Sequence, residues 1–250
     1  MMIFGYRVPL FTSLFLWAVL WELAGHTDAG IILPPLSAIF SRMPEVLTNP
    51  DFSSALFITG KAFVTGILIA ISLGIPFGIL MGRSEVADRI LLPWVNLFLS
   101  APLSALVPVI MVVAGIGEVT IVLTVVLFSV WIIMLNARAG VKNISPSLVE
   151  MAASFGASVS QAFFKIYVWA ALPEITAGLR LGLIRAVKGV IIGQLLVSIV
   201  GFGTLFEIYL AHFLLEHFWS LVLVLFGFAF ALNELLAWCE RKISYYASSR

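Results

Sequence analysis

The sequence predicts an all-α, polytopic membrane protein with six transmembrane helices. Of its 250 residues, 62% are hydrophobic and 11% are charged, whereas soluble domains carry about 25% charged residues. So little charge cannot cover the surface of a soluble protein of this size. The apolar residues also form runs near the length of about 20 that a helix needs to cross a bilayer. We expect a single transmembrane domain over residues 1–250, with its core at residues 55–240.

The same composition argues against several other classes of protein. A formal net charge of +1 gives no reason to expect a nucleic-acid partner. The single cysteine, Cys239, excludes an internal disulfide and a cysteine-based zinc site. His26, His212 and His217 lack metal-ligand spacing, and no P-loop motif occurs. We therefore expect no catalytic residues, no metal site and no cofactor bound by this chain.

Hydropathy places the six spans in order along the chain. The first covers residues 8–21 and continues beyond them; a signal peptide is the alternative, since Arg7 precedes this run, but no small-residue cleavage site follows. Prolines interrupt residues 90–117, and a helix interior tolerates proline poorly. We therefore expect residues 90–102 to approach along the interface before the third span begins. The remaining spans are predicted at residues 62–82, 103–117, 119–137, 175–200 and 218–233.

The distribution of cations predicts the orientation of these spans. An even number of spans puts both termini on one side, and cytoplasmic loops carry an excess of Lys and Arg. With six spans, most cations outside the spans fall on one side of the membrane, and only Arg42 and Lys61 fall on the other side. We therefore expect both termini, and the loop after the fourth span, in the cytoplasm. The residues that share this side are Arg7, Arg83, Arg89, Arg138, Lys142, Lys165, Arg241, Lys242 and Arg250.

Small residues recur at helical spacing in two of the spans. Such stripes let another helix backbone approach closely within a membrane. The second span has one small residue every four positions, and the fifth span has two glycine pairs with the same spacing. These residues are Gly66, Ala70, Gly74, Gly78 and Gly82, then Gly178 with Gly182 and Gly189 with Gly193.

The loop after the fourth span contains the segment SLVEMAASFG, residues 147–156, which is too short to cross a membrane. Ser147 and Glu150 fit a capping box at the start of a helix, and Gly156 is placed to end it. The spacing of its apolar residues predicts one apolar face, made of Leu148, Met151, Ala152 and Phe155. This helix either lies on the membrane surface or against its own bundle, or docks on a cytoplasmic partner.

The same segment resembles a signature of known membrane proteins. Glu150, Ala152 and Gly156, followed after nine residues by Ile166, resemble the E-A-A-x3-G-x9-I-x-L-P signature of bacterial ABC importer membrane subunits. At the end of the signature this chain has Val168-Trp169 instead of Leu-Pro, which predicts a longer or straighter helix before the fifth span. Segments across residues 33–203 resemble the nitrate/sulfonate/taurine branch: LPPLSAIF, LGIPFGILMGRS, PLSALVPVIMVVAGIGE, LVEMAASFGAS and ALPEITAGLRLGLIRA.

This resemblance implies a type I ABC importer permease, a transporter subunit without its own ATPase site. In that family the short helix, here Glu150, Met151, Ala152, Phe155 and Gly156, couples the permease to an ATPase. The implied assembly is a permease homodimer in the lipid of the bacterial cytoplasmic (inner) membrane. It works by alternating access with two ATP-binding subunits, which hold ATP and Mg, and a periplasmic or extracellular solute-binding protein. The implied solute is a small organic or inorganic anion, although neutral vitamin precursors stay open.

Cations inside the fifth span form a second candidate site. If this span begins just after Pro173, Arg185 lies roughly 17 Å along it, near the middle of the bilayer. Charged groups there usually face a cavity or a partner. The polar face of this helix either lines a translocation path suited to an anion or forms a structural network. The candidate pathway residues are Arg180, Arg185, Lys188 and Gln194, with Thr176 and Ser198 on the same face.

Two other functions are alternatives. An ion-coupled secondary transporter or channel would need internal repeats or paired broken helices, and the sequence shows no such self-similarity. A membrane-embedded enzyme would need facing carboxylates or histidines within the spans, where Glu22 stands alone.

Overall fold

Helices make up nearly all of a computed structural model of the chain, which describes residues 2–3, 6–7, 10–27, 30, 32–162, 166–197 and 199–248. Two short strands, β1 (Met2–Ile3) and β2 (Tyr6–Arg7), pair antiparallel near the N-terminus. Val8, Lys165, Ser198 and Arg250, which entered the predictions above, lie outside the described residues. The helices are α1 (Leu10–Gly25), α2 (Leu36–Thr48), α3 (Pro50–Arg83), α4 (Glu85–Ser100), a 3₁₀ helix (Leu103–Leu106), α5 (Val107–Ala114), α6 (Glu118–Lys142), α7 (Pro146–Ser154), α8 (Val159–Ala162), α9 (Val168–Val197), α10 (Phe202–Ala211) and α11 (Leu215–Ser248).

Six apolar units can be counted among these helices. Three are long and apolar enough to cross a membrane: α3, α6 and the Leu215–Leu235 part of α11. Two further units are bent pairs, α4 with Leu103–Ala114 and α9 with α10, and the sixth is the shorter apolar helix Thr12–Gly25. The all-α, polytopic class is confirmed, and these units are roughly consistent with the six predicted spans.

The third unit differs from its prediction. Most of residues 90–102 belong to a longer helix, because α4 runs without a break from Glu85 through Pro93 to Ser100. The interfacial position predicted for these residues stays a prediction. Residues 103–117 are not a span of their own, because α5 has only eight residues and therefore rises about 12 Å. Ala101 is extended, at φ −71° and ψ 148°, because the ring of the following Pro102 disfavours the helical region for it. The chain axis therefore turns by 99° between α4 and Leu103–Ala114.

The fifth unit begins earlier than predicted. The helix α9 starts at Val168, seven residues before position 175, and contains Pro173 in its interior. The helix passes through Val168-Trp169 without a break, and the prediction that it is longer or straighter than in the family stays a prediction.

The core of the fold is a close contact between the backbones of α3 and α6. A Cβ added at Gly66 would lie 2.6 Å from the Cβ of Val125, and one added at Gly78 would lie 2.7 Å from the Cβ of Ala137. Gly74 and Gly82 meet α6 with the same offset of 59 positions. A constant offset means that the two helices run parallel. The predicted stripe of small residues is therefore the surface through which α3 packs on α6.

The helix α9 packs on α6 through its own glycines. A Cβ added at Gly178 would lie 2.5 Å from Asn136, and one added at Gly182 would lie 2.5 Å from Ile133. Further along α9, Gly189 meets α6 at positions 124–128. Since residue numbers rise on α9 as they fall on α6, the two helices run antiparallel. Both α3 and α9 thus cover the faces of α6 that they contact.

The parallel arrangement of α3 and α6 sorts the charges between two ends of the bundle. At the end where both helices finish, which we call the basic end, lie Arg83, Arg138, Lys142 and α7. At the opposite end the Nζ of Lys61, on α3, lies 2.9 Å from Glu118 Oε1 at the start of α6. The charge bias in the sequence predicted that these two groups of cations would separate.

A second contact holds α2 against α11 at the opposite end. The Arg42 Nε donates to Glu216 Oε2 at 3.0 Å, and hydrogen bonds with Glu216 and Glu45 raise the pKa of Arg42. The buried Ser220 hydroxyl donates to the Ile39 carbonyl at 2.6 Å, and Trp219 Nε1 donates to the Ile32 carbonyl at 2.9 Å. These bonds join the start of α11 to the segment before α3.

Replacing Gly78 by alanine should destabilise the protein. The new Cβ would meet Ala137 and the Met134 carbonyl at distances that real side chains do not adopt, and such overpacking costs about 1–3 kcal/mol. Thermal unfolding of the purified protein in detergent would show this as a lower melting temperature. The matched control is Gly60→Ala on the same helix, where an added Cβ meets nothing within 4 Å. Equal melting temperatures for both variants would contradict the proposed packing.

Candidate functional site

The short helix after α6 forms as predicted, but it begins differently. It covers Pro146–Ser154, so the preceding Ser145 occupies the capping position: its carbonyl accepts a hydrogen bond from the Leu148 amide at 3.1 Å. Proline suits the first helical position because its missing N–H would have no helical partner there. Ser147 lies within the first turn, with its hydroxyl 2.7 Å from the Ser145 hydroxyl. The predicted capping box of Ser147 and Glu150 is therefore wrong.

The end of α7 agrees with its prediction. Gly156 has a φ of +71°, a left-handed conformation that glycine adopts without strain. The Ala157 amide donates to the Ala152 carbonyl at 2.9 Å, the hydrogen bond of a Schellman motif. Gly156 therefore ends the helix by turning the chain back over its last carbonyl groups.

The large apolar side chains of α7 face outward. Phe155 is 85% exposed, Met151 49% and Leu148 40%, whereas Ala152 is only 7% exposed. Ala152 therefore faces the protein, and the bulky residues do not pack against the described part of the bundle. Of the interpretations left open by the sequence, packing against its own bundle does not fit. Contiguous exposed apolar groups of this kind mark interaction surfaces.

The surroundings of α7 are polar. A cavity of about 520 Å³ lies beside it, and Glu150 lines this cavity together with Lys142 from α6 and Arg83 from α3. The Arg83 guanidinium lies 5.2 Å from the centre of the Tyr167 ring, which also borders the cavity. The exposed carboxylate of Glu150 thus sits near two cations.

A buried carboxylate next to this cavity was missed by the sequence analysis. Asp88, in the first turn of α4, is 8% exposed. It accepts hydrogen bonds from the Nε and Nη2 of Arg138, the latter at 2.8 Å to Oδ2, and from the Nζ of Lys142. We call these three residues the Asp88 cluster. No local pattern signals it, because 50 and 54 positions separate Asp88 from its partners.

The second candidate site is a cleft of about 310 Å³ beside the bend that follows α4. Arg185 and Lys188 of α9 line it. Since Gly182 and Gly189 contact α6 at positions 124–133, Arg185 lies level with the middle of α6. The other residues that line the cleft are Ala101, Leu103 and Ser104 at the bend and Phe128 on α6.

The cleft is positively charged. No carboxylate lines it, and within the described residues neither Arg185 nor Lys188 forms an ion pair. A concave site with cations of one sign concentrates anions. The charge and concave shape of the cleft therefore suit an anionic ligand.

The structure places two of the four predicted pathway residues in the cleft. Arg185 and Lys188 line the cleft together, whereas Arg180 and Gln194 are not among its lining residues. Gln194 is 1% exposed, and its Nε2 donates to the Thr59 hydroxyl of α3 at 2.7 Å. It therefore joins α9 to α3. Thr176, on the same predicted face, donates its hydroxyl hydrogen to the Pro173 carbonyl of its own helix at 2.8 Å.

Among the described residues, no group of three or more His, Cys, Asp or Glu side chains is placed to hold a metal ion. The candidate sites are therefore the outward face of α7, the Asp88 cluster beside it and the cationic cleft.

Comparisons with known proteins identify the family. The sequence family of binding-protein-dependent transport system inner membrane components matches residues 74–245. This range includes α7, the Asp88 cluster and every residue lining the cleft. The taurine transport system permease protein TauC of Escherichia coli is 30% identical over 194 residues, which cover 75% of this chain and 70% of that protein.

Two further relatives have similar coverage. The bicarbonate transport system permease protein CmpB of Synechocystis is 31% identical over 199 residues, covering 74% of this chain and 70% of that protein. A probable ABC transporter permease protein of Brucella melitensis is 28% identical over 183 residues, covering 73% and 74%. These relatives support the nitrate/sulfonate/taurine branch indicated by the sequence. The chain therefore belongs to the binding-protein-dependent transport system inner membrane components and is the permease subunit of an ABC importer.

Proposed function

We propose that this permease forms the translocation pathway of an importer as a homodimer, with its outward α7 face docked on a separate ATP-binding subunit. Membership of the family implies partnership with ATP-binding and solute-binding proteins and a place in the inner membrane. A homodimer is inferred because one copy of about six spans is half of what an importer needs. The observation that carries the docking role is the exposure of Phe155, Met151 and Leu148 on a helix with well-defined ends.

The position of α7 supports this role. It follows Lys142, the last residue of α6, after only three residues, so its movement is passed directly to the central helix of the bundle. It lies at the basic end, where the excess of cations favours a cytoplasmic location for this loop and for both termini. Burying the Phe155 side chain in a partner's groove would contribute about 1.5–3 kcal/mol.

Energy for transport would come from the partner chains. The sequence contains no P-loop, so ATP and Mg are assigned to the ATP-binding subunits and no hydrolysis to this chain. Closure of the ATP-binding subunits around ATP would move the two copies of α7 and change the orientation of the transmembrane helices. This change of orientation would give alternating access. Residues 1–250 would act as one permease domain, with its core at 55–240.

The cationic cleft is the proposed part of the path that meets the solute. Arg185 and Lys188 lie together at mid-height without a carboxylate, which suits a small anion. Taurine and bicarbonate, named for TauC and CmpB, both carry an anionic group. We place Gln194 and Arg180 beside the path rather than in its lining. Gln194 supports the path by holding α9 to α3.

Co-expression with a candidate ATP-binding subunit tests the importer function. We expect a stable complex whose ATP hydrolysis rises when the liganded solute-binding protein is added to proteoliposomes. Uptake by this chain alone, without ATP, would instead favour an ion-coupled secondary transporter or channel.

Phe155→Ala should weaken the complex with the ATP-binding subunit. The substitution removes the most exposed apolar side chain of α7, so the subunit should be lost on detergent purification while the permease keeps its melting temperature. The matched control is Phe213→Ala, because Phe213 is also 85% exposed but lies just after α10. Retention of the ATP-binding subunit by Phe155→Ala as fully as by the control would exclude docking through this face.

Arg185→Ala and Lys188→Ala should each lower uptake about tenfold or more, since hydrogen bonds to charged groups contribute about 1.5–3 kcal/mol and tenfold corresponds to about 1.4 kcal/mol. The solute to measure is the one identified by a thermal-shift screen of the cognate solute-binding protein. Arg89→Ala is the control, because that side chain is 82% exposed and forms its ion pair with Glu85 of the same helix. Normal uptake with unchanged solute preference in both cleft variants would remove the cleft from the pathway.

A further inference from the structure

The Asp88 cluster connects two parts of the molecule that the transport cycle must coordinate. Its carboxylate belongs to α4, and both of its cations belong to the last turns of α6. We propose that Asp88 is a positioning residue that passes the movement of α7 to the cationic cleft. The inference rests on the docking role proposed for α7, and its test separates the two.

On one side, the cluster is tied to α7. Lys142 is both a partner of Asp88 and the last residue of α6, and three residues separate it from Pro146. The same Lys142 borders the cavity that Glu150 of α7 lines. A displacement of α7 towards or away from the bundle therefore displaces the Lys142 end of the ion pair.

On the other side, the cluster is tied to the cleft. Asp88 lies in the first turn of the 16-residue α4, which rises about 24 Å and leads into the bend. The residues that follow α4, Ala101, Leu103 and Ser104, form part of the wall of the cleft, which Arg185 and Lys188 of α9 also line. A shift or tilt of α4 at Asp88 therefore moves that wall relative to the two cations.

Two contacts of α4 with α6 determine how α4 can move relative to α6. Near its start it is held by the Asp88 cluster, and near its far end the Phe98 ring stacks on Trp131 of α6, with centroids 4.3 Å apart and planes 8° from parallel. A flat ring stack permits sliding more readily than it permits separation. The charged contact at Asp88 is directional, and it therefore sets the preferred position of α4 along α6.

The two cations of the cluster allow that position to change without breaking the contact. Arg138 and Lys142 are four residues apart on α6, which is about one helical turn, and Asp88 contacts both. If α4 shifts along α6, the carboxylate keeps one ion pair while it weakens the other. Movements of up to one turn between packed helices are a known form of conformational switching. A single partner would hold Asp88 in one position only.

The test follows the cleft wall directly and needs no transported solute. In a Cys239→Ser background, Ser104→Cys is labelled with a water-soluble maleimide in the reconstituted complex with its ATP-binding subunits, with and without ATP and vanadate. With Asp88 present, we expect ATP and vanadate together to change the labelling rate about fivefold or more, which is a usual size for allosteric coupling. Asp88→Asn should retain the ATP-binding subunits but abolish this change, and Asp88→Glu should restore part of it.

The matched control is Glu85→Gln, which removes a carboxylate from the same turn of α4. Glu85 is 87% exposed and pairs with Arg89, so its loss should leave the labelling response intact. If Asp88→Asn does not fold, Lys142→Gln replaces it in the test, because the ion pair between Asp88 and Arg138 stays in place. That variant should assemble normally and lose part of the response.

Three results would overturn the proposal. One is an ATP-dependent change in the Ser104→Cys labelling rate that is as large in Asp88→Asn or in Lys142→Gln as it is without these substitutions. Another is a lower melting temperature together with loss of the ATP-binding subunits in both of these variants, which would make the cluster structural only. The third is no response to ATP even with Asp88 present, since no movement would then reach the cleft. Failure of docking itself is detected separately by Phe155→Ala.

Discussion

The contact of the α6 backbone with α3 and α9 is the constraint on which the rest of the structure depends. In a bilayer, lipid tails are as apolar as leucine, so helices associate through close van der Waals packing rather than through the hydrophobic effect. Glycine supplies that packing here: a Cβ at Gly78 or Gly182 would overlap with α6. With both neighbours this close, α6 has little freedom to tilt or rotate between them.

This arrangement explains why the functional elements are where they are. The parallel course of α3 and α6 brings both of their last turns to the basic end, so α7 leaves the bundle beside Arg83 and the Asp88 cluster. The antiparallel course of α9 places Arg185 at the level of the middle of α6. The elements outside this three-helix contact include α4, the bend at Ala101–Pro102 and the turn between α9 and α10.

Short-range patterns in the sequence predicted several features of the structure, and they failed at the start of α7. The four-residue spacing of Gly66 to Gly82 predicted the α3 contact surface, and the spacing of Leu148, Met151 and Phe155 predicted the outward face of α7. Gly156 identified its end, because glycine adopts the left-handed conformation at a helix end without strain. The start of α7 was mistaken because two serines compete for the cap, and Pro146 favours Ser145.

Other features depend on contacts that no local pattern reveals. Three prolines predicted an interruption in residues 90–117, but not that α4 would accept Pro93 and break at Pro102. Helical angles placed Gln194 on the polar face of α9, yet they do not say which neighbour lies opposite, and Thr59 is 135 positions away. Asp88 and its partners likewise come together only when α4 folds back along α6.

The fixed offset between α3 and α6 also bears on how the protein is made. The α6 partner of each α3 glycine from Gly66 to Gly82 is synthesised 59 residues later, and chains grow at about 5–20 residues per second. For about 3–12 s, α3 would therefore be in the membrane with its glycine face uncovered, while α4 and α5 are being inserted. During that interval the face is open to any other helix with small residues. Correct assembly of the permease then depends on α6 reaching this face before a competing helix does.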